Sequence, residues 1–221
     1  MNDEITHEDV PGMAQIAKPT GFYGKILARG MALGHRAFYE NTAKALRLTE
    51  NDRYLEIGFG SGLFIKKYAS HVSRIAGLDH SRDMVALATS INRKLIEAGK
   101  AELRKGDASS LPWGDNEFSA VAAIETFYFW AEPEVALREI LRVLAPSGRL
   151  VIEMAYNRDD GLDHIKLVRK TKVSLYSGDE MKGLLVGAGF SEVAVNYYKG
   201  LWFPIRGYVV PRGMLVTATK E

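Results

Sequence analysis

An open α/β sheet, mostly parallel and with helices on both faces, is the fold this sequence predicts. Three observations predict it. From Arg53 onward, short apolar runs alternate with segments of helical periodicity, the pattern of successive βαβ units. The first run, Tyr54–Ile57, empties into a turn with glycines at alternate positions, Gly58, Gly60 and Gly62. The fourth run, Phe118–Ile124, is apolar in the way expected of a central strand covered on both sides.

Ahead of the sheet, the opening residues are polar and carry Pro11, Gly12 and Pro19, which predicts little regular structure. Gly21 to Leu46 reads as one or two short helices, interrupted by Gly24, Gly30 and Gly34 and rich in Phe22, Tyr23, Phe38 and Tyr39. Residues 1–46 thus form a helical extension, either a lid over the site or a helix pair packed on the sheet, and 47–221 the core. Strand one is Tyr54–Ile57, followed by a helix over Leu63–Ala69; strand two, Arg74–Leu78, ends at Asp79. Met84, Leu87, Ala88, Ile91 and Leu95 recur at helical spacing and form one apolar stripe. Ala101–Arg104 is a weak third strand before Gly106-Asp107. After strand four, Pro133 opens a helix holding Leu137, Ile140, Leu141 and Leu144. Pro146-Ser147-Gly148 turns into strand five, Arg149–Met154. Asp179–Gly187 is a helix stopped at Gly189, and Glu192–Tyr198 and Met214–Thr219 complete seven strands. The long connection Gly200–Gly213, with Trp202, Phe203 and Tyr208 among Arg206 and Arg212, suits an extended hairpin beside the site or a dimer contact.

Composition narrows the function. A net charge of +2 gives no electrostatic footprint for nucleic acid or a membrane surface. No apolar run approaches the ~18 residues of a membrane span. The acidic opening Met1-Asn2-Asp3-Glu4 lacks the features of a signal peptide, so a cytoplasmic location is expected. With no cysteine there is no disulfide, thiolate metal site or cysteine nucleophile, and no metal is expected.

The glycine turn brings backbone against a ligand at the carboxyl edge of such a sheet. A dinucleotide fingerprint needs a third glycine where Leu63 stands, and the glycine pattern alone says little. The acids say more. Glu56 precedes the turn, Asp79 ends strand two and Asp107 follows strand three, so all three are expected to gather at one edge. Such a group repels a pyrophosphate but suits a ligand bearing a sulfonium, an ammonium and a ribose diol. Simpler roles remain open: Asp79 as a helix cap before Ser81, and Asp107 as a turn residue.

Glu56-x-Gly58-x-Gly60-x-Gly62, Asp79, and Gly106-Asp107-Ala108 with Leu111-Pro112 together resemble the class I S-adenosylmethionine-dependent methyltransferases. Thr126 to Pro133 and Leu141-Arg142-Val143-Leu144 before Pro146-Ser147-Gly148 resemble the small-molecule branch with ubiquinone- and menaquinone-type enzymes, the type 11-like methyltransferases. The resemblance runs from Arg53 to Glu221 and implies a Rossmann-like, doubly wound fold with S-adenosyl-L-methionine as cofactor. It implies that the turn Gly58, Phe59, Gly60 and Gly62, with Glu56, passes beneath the methionine part of the cofactor, and that Asp79 holds the ribose. Asp107 and Ala108 would meet the adenine amino group, and His80 would lie against the ring. Glu125 and Tyr23 would stand near the cofactor's amino-acid end.

Methyl transfer is an in-line displacement in which orientation supplies much of the rate, and a base is needed only for a proton-bearing acceptor. Candidates for such a base are His164, Glu125 and His35. Phe127, Tyr128, Phe129 and Trp130 either wall an acceptor site or belong to the core. A small-molecule methyltransferase (EC 2.1.1), monomer or homodimer, is the expected function. A nucleic-acid amino-methylating enzyme is disfavoured, because Glu125-Thr126-Phe127-Tyr128 replaces the Asn/Asp-Pro-Pro-Tyr/Phe motif. The alternatives are an NAD(P)-dependent oxidoreductase, or a non-catalytic cofactor-binding protein of the same fold.

Overall fold

The computed structural model describes residues 36–161, 168, 173–199, 202–203, 208–209 and 212–221. Tyr23, His35 and His164 lie outside them. The main sheet is formed by β1 (Arg53–Ile57), β2 (Arg74–Asp79), β3 (Ala101–Lys105), β4 (Phe118–Ile124), β5 (Leu144–Met154), β6 (Ser191–Lys199) and β9 (Arg212–Thr219). Between the last two, β7 (Trp202–Phe203) and β8 (Tyr208–Val209) pair as a separate two-stranded ribbon, the hairpin expected within 200–213. The order is β3-β2-β1-β4-β5-β9-β6. The first five strands are parallel, and β9 runs antiparallel between β5 and β6. The strand sequence reverses direction between β1 and β4, which is where ligands bind in sheets of this type.

Six helices accompany these strands among the described residues: α1 (Arg36–Leu46), α2 (Leu63–Tyr68), α3 (Arg82–Ile91), α4 (Arg93–Glu97), α5 (Pro133–Val143) and α6 (Gly178–Ala188). Alternation along each strand sends side chains to two cores. Leu55, Ile57, Val121, Ala123, Leu150, Ile152, Met214 and Val216 pack beneath α5 and α6. Tyr54, Ala120, Ala122, Ile124, Val151 and Leu215 pack on the other face with Phe38 and Leu46 of α1 and Phe64 and Ile65 of α2.

Three expectations are corrected. The stripe from Met84 to Leu95 is not one helix. The chain breaks at Asn92, whose side-chain amide donates to the carbonyls of Ala88 (2.9 Å) and Gly62 (3.0 Å) and so ties the helix to the glycine turn. Leu144 belongs to β5 rather than to the helix before it. Pro146-Ser147-Gly148 lies inside β5, as a bulge between the pairs Phe118–Leu144 and Ala120–Arg149, and Lys220 secures it by backbone bonds to Ser147 and Gly148.

At the opposite, amino edge, Asp52 takes hydrogen bonds from Ser119 (2.6 Å), Thr49 N–H (2.7 Å) and Arg149 (2.6 Å). Burial pushes its pKa up, but these bonds outweigh it and hold the carboxylate below its usual range. This end of the sheet is structural.

Candidate cofactor and acceptor site

The turn after β1 depends on backbone conformations that glycine tolerates: φ is 75° at Gly58, 52° at Gly60 and 71° at Gly62. The three are not equivalent. A Cβ on Gly58 would run into the side chain of Thr126. One on Gly62 would stand 2.7 Å from Asn92 Nδ2 and 2.8 Å from Ala88 Cβ. One on Gly60 would meet nothing within 4 Å. The outer glycines therefore let protein pack on protein, and the middle one leaves a bare stretch of backbone facing open space. Gly62→Ala is accordingly expected to lower the urea midpoint by the equivalent of ~1–3 kcal/mol, through crowding and left-handed strain together.

Asp79, only 6% exposed, sits beside that stretch. Its Oδ2 accepts from Gly60 N–H and its Oδ1 from Ser81 N–H, each at 2.8 Å. Ser81, not Asp79, provides the side-chain cap of α3. His80, half exposed, has Nδ1 3.7 Å from Asp79 Oδ1. A backbone bond from Gly106 to Asp79 (3.0 Å) brings the loop after β3 alongside. There Asp107 accepts from Ser109 N–H (2.9 Å) and Oγ (2.7 Å), and those bonds, aided by His80, lower its pKa. Ala108 is buried next to it.

The structure thus places Asp79, His80 and Asp107 together at the carboxyl edge. Glu56 lies deeper, 3% exposed, with no hydrogen-bond partner for Oε2. Burial, with the Asp79 charge adding to it, pushes Glu56 well above the carboxylate range. Phe59 turns its ring against Gly77 in the core, so the turn presents only its backbone.

At the ends of β4 and β5, Glu125 adopts φ 57°. Its carboxylate accepts from Ala155 N–H (2.5 Å) and from the Tyr128 hydroxyl (2.8 Å), while its own backbone N–H donates to the backbone carbonyl of Glu153 (2.9 Å). Burial raises its pKa to about 7 against those bonds. Phe127 packs tilted and edge-on against Trp130 and Tyr176, and Tyr128 is buried in the same core, so two of the four aromatics are core while Phe129 and Trp130 lie partly buried against it. Tyr39 on α1 is raised by burial and by Glu56 and Glu125, so it stands near both acids.

Sequence reasoning missed Glu153. It is fully buried in β5, and neither carboxylate oxygen has a hydrogen-bond partner. Its signal was legible: an acid inside an otherwise apolar run, the same irregularity that singled out Glu56.

Residues 55–152 match the family model described as "Methyltransferase domain". That stretch of the chain is similar to a methyltransferase domain. Over 151 residues it is 29% identical to the O-methyltransferase cnsE of Penicillium expansum, spanning 66% of this chain and 55% of that protein. Over 105 residues it is 38% identical to the demethylmenaquinone methyltransferase of Thermus thermophilus, spanning 45% of this chain and 46% of that one. The chain therefore spans about half the length of these curated relatives. A chain from the complex of the Haloferax volcanii Trm112 methyltransferase activator with a methyltransferase shares the fold. Its TM-score is 0.74 at 21% identity, over 88% of this chain and 93% of that one.

Methyltransferases with such a domain bind S-adenosylmethionine, and the residues at the glycine turn here fit that cofactor. The open face at Gly60, the unpaired oxygen of buried Glu56 and the spare lone pairs of Asp79 suit a cationic nucleoside.

Proposed function

We propose that this methyltransferase domain moves a methyl group from S-adenosylmethionine to a small organic acceptor by in-line displacement. The bare backbone at Gly60, flanked by Asp79, carries the reading. When bound, the cofactor supplies a methyl group on a positively charged sulfur. Asp79 holds the ribose hydroxyls with the lone pairs its backbone bonds leave open, and Asp107 and Ala108 meet the adenine edge beside His80. Glu56 and Glu125, with Tyr23, lie toward the methionine end, and residues 1–46 cover the acceptor. Glu125 has both oxygens engaged, which makes it an organiser of the β4–β5 ends rather than a free base. His35 and His164 remain as the histidines proposed for proton removal.

A nicotinamide cofactor would bring its pyrophosphate against Glu56 and Asp79, at a turn without the third dinucleotide glycine. Among the described residues no helix is long and apolar enough to cross a membrane. Calorimetry with S-adenosylhomocysteine and with NAD(H) tests the reading. Binding of the first alone is expected; binding of NAD(H) alone overturns it.

A further inference from the structure

Three acids lie on the α1-covered side of the molecule or at its rim: Glu56 in β1, Glu125 just past β4, and Glu153 in β5. Glu56 feels the charge of Asp79, where the cofactor's own positive charges would serve it, and Glu125 follows the strand that pairs with β1. Glu153 lies one strand further, paired with Ile124 and Leu215, away from the glycine turn. Tyr198 of β6 and Asn41 of α1 face it closely enough to stabilise its charge, and Glu125 opposes that charge. Yet neither Glu153 oxygen has a bond of acceptable geometry, and the buried Tyr198 hydroxyl also lacks one. Among the described residues, those that act on Glu153 are Tyr198, Glu125 and Asn41, none of them a cation. A buried carboxyl group whose neighbours make no well-formed hydrogen bond to it costs ~1–3 kcal/mol, more if charged, so a purely structural role leaves this arrangement unexplained.

Resting on the methyltransferase reading, we propose that Glu153 is the acceptor-binding carboxylate and that the acceptor is a primary or secondary amine, held as its ammonium ion. An ammonium offers several N–H donors to Glu153 and the Tyr198 hydroxyl, and the Tyr198 ring, packed against that of Phe38 (centroids 6.3 Å apart), adds an aromatic surface beside it. Entry requires the first turns of α1, which carry Phe38 and Asn41, to move aside.

An oxygen acceptor fits less well. It reacts best as an oxyanion, which the cofactor's sulfonium would attract but Glu125 and Glu153 would oppose, whereas an ammonium is drawn to both acids. An amine attacks as a neutral molecule and is cationic before and after. In the step, the ammonium gives one proton to the Glu153 carboxylate, leaving a free amine and a carboxylic acid. The nitrogen lone pair then forms the N–C bond as the C–S bond breaks, its electron pair staying on sulfur. The product is an N-methylammonium ion, and the sulfur becomes neutral. Burial raises Glu153 to about 9, close to the range of alkylamines, so the proton moves with little cost.

Phenethylamine and its neutral counterpart 2-phenylethanol are the probes, titrated by calorimetry into the protein saturated with S-adenosylhomocysteine. At about pH 7.5, in two buffers of different ionisation enthalpy, the amine is expected to bind with release of about one proton, because Glu153 is protonated when free and ionised in the complex. The amine should bind ~10–100-fold tighter than the alcohol, and Glu153→Gln should remove both the preference and the proton release. S-adenosylhomocysteine binding to Glu153→Gln should stay within about twofold of the parent, since Glu153 lies outside the cofactor side. Absence of amine binding, equal affinity for the two probes, or an unchanged Glu153→Gln profile overturns the proposal. Failure of the methyltransferase reading looks different: S-adenosylhomocysteine itself does not bind, and no acceptor is methylated.

Discussion

Asp79→Ala is expected to weaken S-adenosylhomocysteine binding by ~100-fold or more while the protein stays folded. The carboxylate has about four lone-pair directions, and the backbone of Gly60 and Ser81 occupies two of them. Two remain for a ribose diol. Hydrogen bonds to a charged acceptor are worth ~1.5–3 kcal/mol each, and losing two amounts to at least a hundredfold in affinity. The substitution also releases the Gly60 N–H and lets the exposed stretch of the turn lose its set position. Stability should suffer less than affinity, because Glu56 is freed from a neighbouring negative charge. Calorimetry gives the affinity and circular dichroism the fold. An affinity within a few-fold of the parent would remove Asp79 from the cofactor site.

The second large effect is on stability against pH. Glu56, Glu125 and Glu153 are all raised by burial, the last two to about 7 and about 9. Unfolded, each would titrate near ~4.3. Between that value and the folded pKa, the native state binds more protons than the unfolded chain, so stability falls as pH rises. Loss of stability therefore begins above ~4.3 and continues through about 7 for Glu125 and about 9 for Glu153. Asp52, whose pKa is lowered, acts with the opposite sign, but only in acid, as pH falls through its folded value. The ligand-free protein should thus melt several degrees higher at ~pH 5 than at ~pH 8.5, as a ΔΔG of a few kcal/mol implies. Glu153→Gln should be more stable than the parent at the alkaline end and show a flatter profile there. A melting temperature that rises between those two pH values, or a Glu153→Gln profile parallel to the parent's, would contradict this.

Much of the fold was legible because strands in a doubly covered sheet must be apolar and must end in residues that face solvent or ligand. Phe118–Ile124 has the same limits in sequence and structure, and Asp79 closes β2 as the sequence suggested. Local pattern could not show what a distant partner decides. Asn92 sits within an apolar stripe, and only its bonds to Gly62 and Ala88 make it a break. Ser147 carries turn residues on both sides, but the Lys220 backbone returns the segment to β5. In the site, Asp79 and Asp107 were found from motif spacing, and their shared neighbour His80 came with them. Glu56 was expected at the rim and lies inside, because the alternation of β1 sends it to the covered face. Glu153 has no motif around it. Its importance emerges only when α1 and β6 close over it and leave its oxygens without partners.

The placement of β9 between β5 and β6 also governs how this chain is made. During synthesis β1 to β5 emerge in a sequence that lets each new parallel strand join one already present, while β6 appears with nowhere to dock. It stays an orphan, and β5 keeps an open apolar border, until Arg212–Thr219 leaves the ribosome and slots between them. A stalled or truncated nascent chain would leave the backbone N–H and C=O groups of β5 unpaired along that border, an edge suited to chaperone capture or aggregation.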